Sequence, residues 1–130
     1  MICGIGIDLV EIHRIEEILK RWGKKFTSKI YSEGEIEYCR NRSHPAIHYA
    51  ARFAAKEAFL KSVGVGLAGG IRLKDIEVLS NQQGKPDLKL HNKAKTILNR
   101  HGDIPAVHLS ITHTSKYSAA VVVLEKRVPS

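Results

Sequence analysis

Only two cysteines occur among 130 residues, and that scarcity removes one class of protein. Cys3 and Cys39 form no CxxC pair and no disulfide framework, which fits a reducing cytoplasm, and each reads as a buried small apolar residue. Aromatic residues make up 6% of the chain, little material for stacking nucleic-acid bases. No apolar run approaches the roughly 20 residues that span a bilayer, so no membrane segment is expected. The N-terminus lacks a basic n-region, and Asp8 interrupts its short apolar stretch, so no signal peptide is expected either. Seven histidines are present without an HExxH spacing, which argues against zinc. Gly64–Gly70 is glycine-rich but lacks the spacing of a P-loop, and no GxSxG elbow supports a Ser–His hydrolase. Acidic residues are also scarce. Against 21 basic residues stand 13 acidic ones, and the net charge of +8 calls for an anionic partner. Nucleic acid, a membrane surface, a phosphorylated small molecule and an acidic protein all satisfy that charge.

What is present suits one domain over residues 1–130, with a hydrophobic fraction of 43% to fill a core. The Ile- and Val-rich stretch 2–10 predicts a strand, and Ile12, Ile15, Leu19 and Trp22 recur at helical spacing up to Gly23. A further helical turn is expected over Lys24–Ile30. Ser32 and Glu35 predict a capping box opening a helix to about Arg40. Ser43-His44-Pro45 opens a long Ala-rich helix, and an irregular loop follows at Gly64–Gly70. Strands are expected over Ile71–Leu79 and Asp87–Leu90 around a turn at Asn81–Pro86, then a short helix over His91–His101 with Ala94, Ile97 and Leu98 inward. Ala106–Thr114 and Tyr117–Lys126 read as a hairpin around Ser115-Lys116, and the last three residues as a frayed tail. Strands and helices do not alternate regularly, which predicts an α+β fold: a mainly antiparallel sheet packed on the long Ala-rich helix.

Two carboxylates stand where apolar residues would be usual. Asp8 interrupts Ile5-Gly6-Ile7-Asp8-Leu9-Val10, and Glu57 shares a helical stripe with Ala50, Phe53, Ala54 and Lys61. Asp8 reads either as a cap of the helix beginning near Glu11 or as a Mg²⁺ ligand. Glu57 reads either as half of an i,i+4 surface pair with Lys61 or as a second ligand, the surrounding alanines leaving room for close approach. On the strand 107–114, Val107, Leu109 and Ile111 face one way and His108, Ser110 and Thr112 the other. The second set suits either phosphate oxygens or a solvated edge. Arg14, Ile18, Arg21 and Lys25 recur at steps of three or four, with Phe26 adjacent. That pattern of cations around apolar residues suits an acidic amphipathic helix. A nucleic-acid-binding module explains the charge, but it leaves the acids at positions 8 and 57 without a purpose.

The chain resembles the holo-[acyl-carrier-protein] synthase family, the short bacterial 4′-phosphopantetheinyl transferases, along essentially its whole length. The likeness rests on Gly4-Ile5-Gly6-Ile7-Asp8-Leu9-Val10-Glu11-Ile12 with Arg14-Ile15, on Arg52-Phe53-Ala54-Ala55-Lys56-Glu57-Ala58-Phe59-Leu60-Lys61, and on His108-Leu109-Ser110-Ile111-Thr112-His113-Thr114, with Gly84-Lys85-Pro86 in a turn. The resemblance implies that Asp8 and Glu57 hold Mg²⁺ together with the pyrophosphate of coenzyme A, that Lys61 lies near those phosphates, and that His108, Ser110, Thr112 and His113 line the nucleotide end. It implies that Arg14, Ile18, Arg21, Lys25 and Phe26 meet the acidic recognition helix of an acyl carrier protein. It further implies a cytoplasmic homotrimer with clefts between neighbouring subunits, acting in fatty acid biosynthesis. A carrier serine would attack the β-phosphate of coenzyme A, and 3′,5′-ADP would leave. In-line placement and charge neutralisation dominate such chemistry. Glu57 or a water beside Asp8 would accept the serine proton, and the sequence leaves both open. A scaffold that keeps this fold without catalysis is the other reading.

Overall fold

A computed structural model of the protein describes residues 1–64, 69–99 and 104–126. Strand β1 (Ile2–Glu11) leads into helix α1 (Ile12–Trp22). Gly23 ends α1 at φ 50°, a backbone conformation that favours glycine, and α2 (Lys24–Ile30) starts at once. The capping box is formed as expected. Glu35 N donates to Ser32 Oγ, and Ser32 N donates to Glu35 Oε1, opening α3 (Glu33–Arg40). Pro45 occupies the first turn of α4 (Pro45–Val63), where its missing N–H costs no helical bond.

Two antiparallel sheets follow. In the larger, β5 (Tyr117–Glu125) lies between β1 and β4 (Ala106–His113); in the smaller, β2 (Ile76–Ser80) pairs with β3 (Pro86–Leu90). Helix α5 (Asn92–Leu98) follows β3, with Ala94 buried as expected. The fold is α+β with antiparallel pairing throughout the described residues, as the sequence implied. The expected strand over 71–79 is corrected. Leu73–Asp75 form a 3-10 turn and only Ile76 onward is extended. Asp75 accounts for the difference. Its buried carboxylate accepts hydrogen bonds from Arg72 Nε (3.0 Å), Arg72 Nη2 (3.1 Å) and Asn92 Nδ2 (3.1 Å), and such side-chain bonds compete with a ladder. Cys39 is buried as expected, but Cys3 is exposed. Parts of the expected glycine loop (65–68) and of the helix to His101 (100–103), and the tail (128–130), lie outside the described residues.

The alternation of β1 decides the architecture. Gly4, Gly6, Asp8 and Val10 face α4, whereas Ile5, Ile7 and Leu9 face away and are 62%, 65% and 64% exposed. Ala54 and Ala58 of α4 are fully buried, and small residues on both elements permit close contact. A Cβ on Gly6 would collide with the Ala58 carbonyl oxygen, and one on Gly4 with that of Ser62. Gly6→Ala is therefore expected to destabilise the fold by about 2–3 kcal/mol, read as a lower urea midpoint, because strand and helix must separate. Among the described residues no helix is long and apolar enough to cross a membrane.

Candidate active site

The close packing of β1 on α4 brings Asp8 to the last turns of the helix. Lys61 Nζ donates to Asp8 Oδ1 and to the Ile7 carbonyl, both at 3.0 Å. Asp8 does not cap α1. That position belongs to Glu11, whose side chain makes no capping bond. Nor do Glu57 and Lys61 form the surface pair that their spacing allows: among the described ion pairs, Lys61 has Asp8 as its partner. Glu57 is half-buried nearby. Burial first, and the Asp8 charge second, hold its carboxyl above the ordinary glutamate value, while Lys61 opposes both. Two carboxylates thus repel one another in a partly desolvated place.

They open into a cavity of about 480 Å³ lined by Asp8, Glu11, Arg14, Ile18, Phe53 and Glu57, with Phe26 and Tyr117 at its walls. A second, more apolar groove of about 370 Å³ runs on between α1 and α2, lined by Ile18, Trp22, Lys25, Phe26, Lys29 and Ile30. Ile18 and Phe26 line both. The structure therefore joins the carboxylate pair to four of the five expected docking residues. The fifth, Arg21, stacks its guanidinium over the Trp22 ring at 5.3 Å, beside the same groove. Trp22 departs from its expected place in the apolar core stripe. It is half-exposed, because the stripe that includes Ile15 turns away from the core by the end of α1.

The residues of β4 divide. His108, Ser110 and Thr112 are exposed on the outer face of the sheet with Ile5 and Ile7, and His108 Nε2 lies 3.1 Å from Glu125 Oε1. They do not line the carboxylate cavity. His113 lies elsewhere, at the end of β4, near a cationic cluster that the sequence reading missed. There the guanidinium carbons of Arg42 and Arg52 stand 4.0 and 4.2 Å from the Tyr38 ring centroid. Arg52 is buried, and its Nε has no hydrogen-bond acceptor among the described residues. Burial foremost, then the charges of Arg52, Arg42, His113 and His44, hold the His48 imidazolium below its ordinary range. Neither arginine has a carboxylate partner among the described ion pairs. Cations crowded together without acids suit an anion. An arginine within the alanine-rich face of α4 was the available signal.

The sequence profile of the 4′-phosphopantetheinyl transferase superfamily matches residues 4–122. The chain belongs to that superfamily. A holo-[acyl-carrier-protein] synthase of Syntrophus aciditrophicus is 54% identical over 125 residues, 96% of this chain and 97% of that protein. Among solved structures, a holo-[acyl-carrier-protein] synthase from Neisseria meningitidis superposes with a TM-score of 0.88 at 34% identity, over 97% of this chain and all of that one. The Bacillus anthracis enzyme, in complex with CoA (3′,5′-ADP), superposes with a TM-score of 0.79 at 38% identity, over 98% of this chain and 99% of that one.

Proposed function

We propose that the chain is a holo-[acyl-carrier-protein] synthase of fatty acid biosynthesis, a single transferase domain over residues 1–130. It moves 4′-phosphopantetheine from coenzyme A to a serine of apo-acyl carrier protein and releases 3′,5′-ADP. The observation that carries this reading is the one cavity that holds Asp8 and Glu57 together with Arg14, Ile18 and Phe26. Incubation with apo carrier, coenzyme A and Mg²⁺, followed by intact-mass measurement, tests it. The carrier should gain one phosphopantetheine group, and no gain would reject the reading.

Asp8 and Glu57 fit a divalent cation. Mg²⁺ takes one or two carboxylates and fills its remaining positions with water and phosphate oxygens. The mutual repulsion that raises the Glu57 carboxyl is what a cation would relieve. Bound there, Mg²⁺ would neutralise charge on the diphosphate. Lys61, shared between Asp8 and the Ile7 carbonyl, has a third proton for a diphosphate oxygen. Arg42, Arg52, His48 and His113 would receive a phosphate of the nucleotide.

The groove of Ile18, Trp22, Phe26 and Ile30 would take the apolar side of a carrier helix, while Arg14, Arg21, Lys25 and Lys29 would meet its acids. Arg14→Glu should raise the KM for the carrier about tenfold or more and leave that for coenzyme A nearly unchanged. An equal rise in both would argue against docking on α1.

Ile5, Ile7 and Leu9 form an exposed apolar face, and Val121 and Val123 continue it on β5. This supports self-association, with three copies as the family resemblance implies. His108, Ser110 and Thr112 would then lie at the boundary between subunits. Ile7→Asp should convert the assembly to monomers in light scattering, with a parallel loss of transfer.

A further inference from the structure

We propose that Glu11 is the catalytic base that takes the proton of the attacking carrier serine. The inference rests on the transfer reaction proposed above, and concerns a step for which Asp8 and Glu57 are poorly placed. In that reading their electron pairs serve the cation, and Asp8 already accepts from Lys61. Glu11 lines the same cavity as that pair and as the docking residues Arg14 and Ile18. It is not a third ligand, because no three His, Cys, Asp or Glu side chains among the described residues group closely enough to hold a metal.

Its carboxylate has no hydrogen bond or ion pair among the described residues, and although it occupies the N-cap position of α1 it does not cap the helix. The fold thus makes no use of the side chain. Its backbone is nevertheless fixed, by pairing with Tyr117 and by the adjacent Ile12 N–H donating to the Lys116 carbonyl at 2.9 Å. The charged and titratable groups lining the cavity with it are Asp8 of β1, Arg14 of α1, Glu57 of α4 and Tyr117 of β5. Beside a groove lined with cations for an acidic partner, an unpaired acid slows encounter. Accepting a proton from a serine that enters this cavity accounts for its presence.

In this step the serine Oγ forms a bond to the β-phosphorus of coenzyme A. The bond from that phosphorus to the bridging oxygen breaks, and its electron pair leaves with 3′,5′-ADP. The serine proton passes to the Glu11 carboxylate and from there to water. A positioned base of this kind contributes about 10²–10⁴ in rate.

The test is Glu11→Gln, which keeps size and removes basicity, with kcat and both KM values measured across pH. Expected is a fall in kcat of about a hundredfold or more with both KM values within about threefold, and loss of the acid limb of the kcat profile. Glu11→Asp, which retracts the carboxylate, should fall between the parent and Gln. A Glu11→Gln kcat within about threefold of the parent, or a loss confined to the carrier KM, overturns the proposal. A parent chain that modifies no carrier refutes the transfer reading and this inference with it. A parent that works while Glu11→Gln works equally well refutes this inference alone.

Discussion

Asp8→Ala and Glu57→Ala will each lower phosphopantetheine transfer by about a thousandfold or more, measured as the rate of mass gain on the carrier. The proposed reaction demands charge neutralisation at the diphosphate, and of the three carboxylates that line the cavity these are the two whose charges repel one another. Mg²⁺ should raise the melting temperature of the parent and leave that of either variant unmoved, which separates loss of the ion from loss of the fold. The two variants will differ in stability. Burial and the neighbouring Asp8 oppose the charged form of Glu57, so its removal is neutral or stabilising near pH 7. Removing Asp8 takes away the carboxylate partner of Lys61. Full activity in either variant would remove the metal site from the reading.

Lys56→Met will cost about 3–5 kcal/mol of stability, the largest effect expected away from the cavity. Lys56 is fully buried one residue from Glu57 and spends all three ammonium protons, on Glu35 Oε1 (2.7 Å) and on the carbonyls of Leu73 (3.0 Å) and Ile76 (2.6 Å). Burial pulls its ammonium below the ordinary lysine value, and Glu35 opposes that pull. Glu35 in turn accepts from Ser32 N and Val78 N. The pair therefore ties α3, α4, the 3-10 turn and β2 together. Truncating the cation alone strands a buried carboxylate and two carbonyls. Adding Glu35→Gln to Lys56→Met should recover part of the loss, since a neutral amide is cheaper to bury than an unpaired charge. Urea denaturation of both variants measures this. A single-variant loss below about 1 kcal/mol would show that Lys56 is not the tie described.

Local signals carried most of the fold. The capping box at Ser32 and Glu35, the glycine stop at Gly23, Pro45 in the first turn of α4 and the hairpin around Ser115-Lys116 all lie where the sequence placed them. Each is a contact between residues a few positions apart. The 3-10 turn at Leu73–Asp75 was not legible, because Asn92, seventeen residues on, supplies one of its hydrogen bonds. The oddity of Asp8 and Glu57 could be seen in sequence, but their meeting depends on Gly4 and Gly6 admitting α4, a tertiary fact. The Arg42–Tyr38–Arg52 stack was hidden for a related reason: Tyr38 and Arg42 are near neighbours in sequence, but Arg52 joins them from α4 only when the chain folds. Lys56 was hidden differently. Nothing local sets it apart from the other charges of α4, and its long-range partner Glu35 explains its burial.

The half-exposed indole in the α1–α2 groove has a practical use. Trp22 is the sole tryptophan of the chain, and it stands where the carrier is proposed to seat. Its emission is therefore an unlabelled optical reporter of complex formation. Covering the ring should shift the spectrum to the blue, so that docking can be titrated apart from catalysis with a carrier whose serine has been removed.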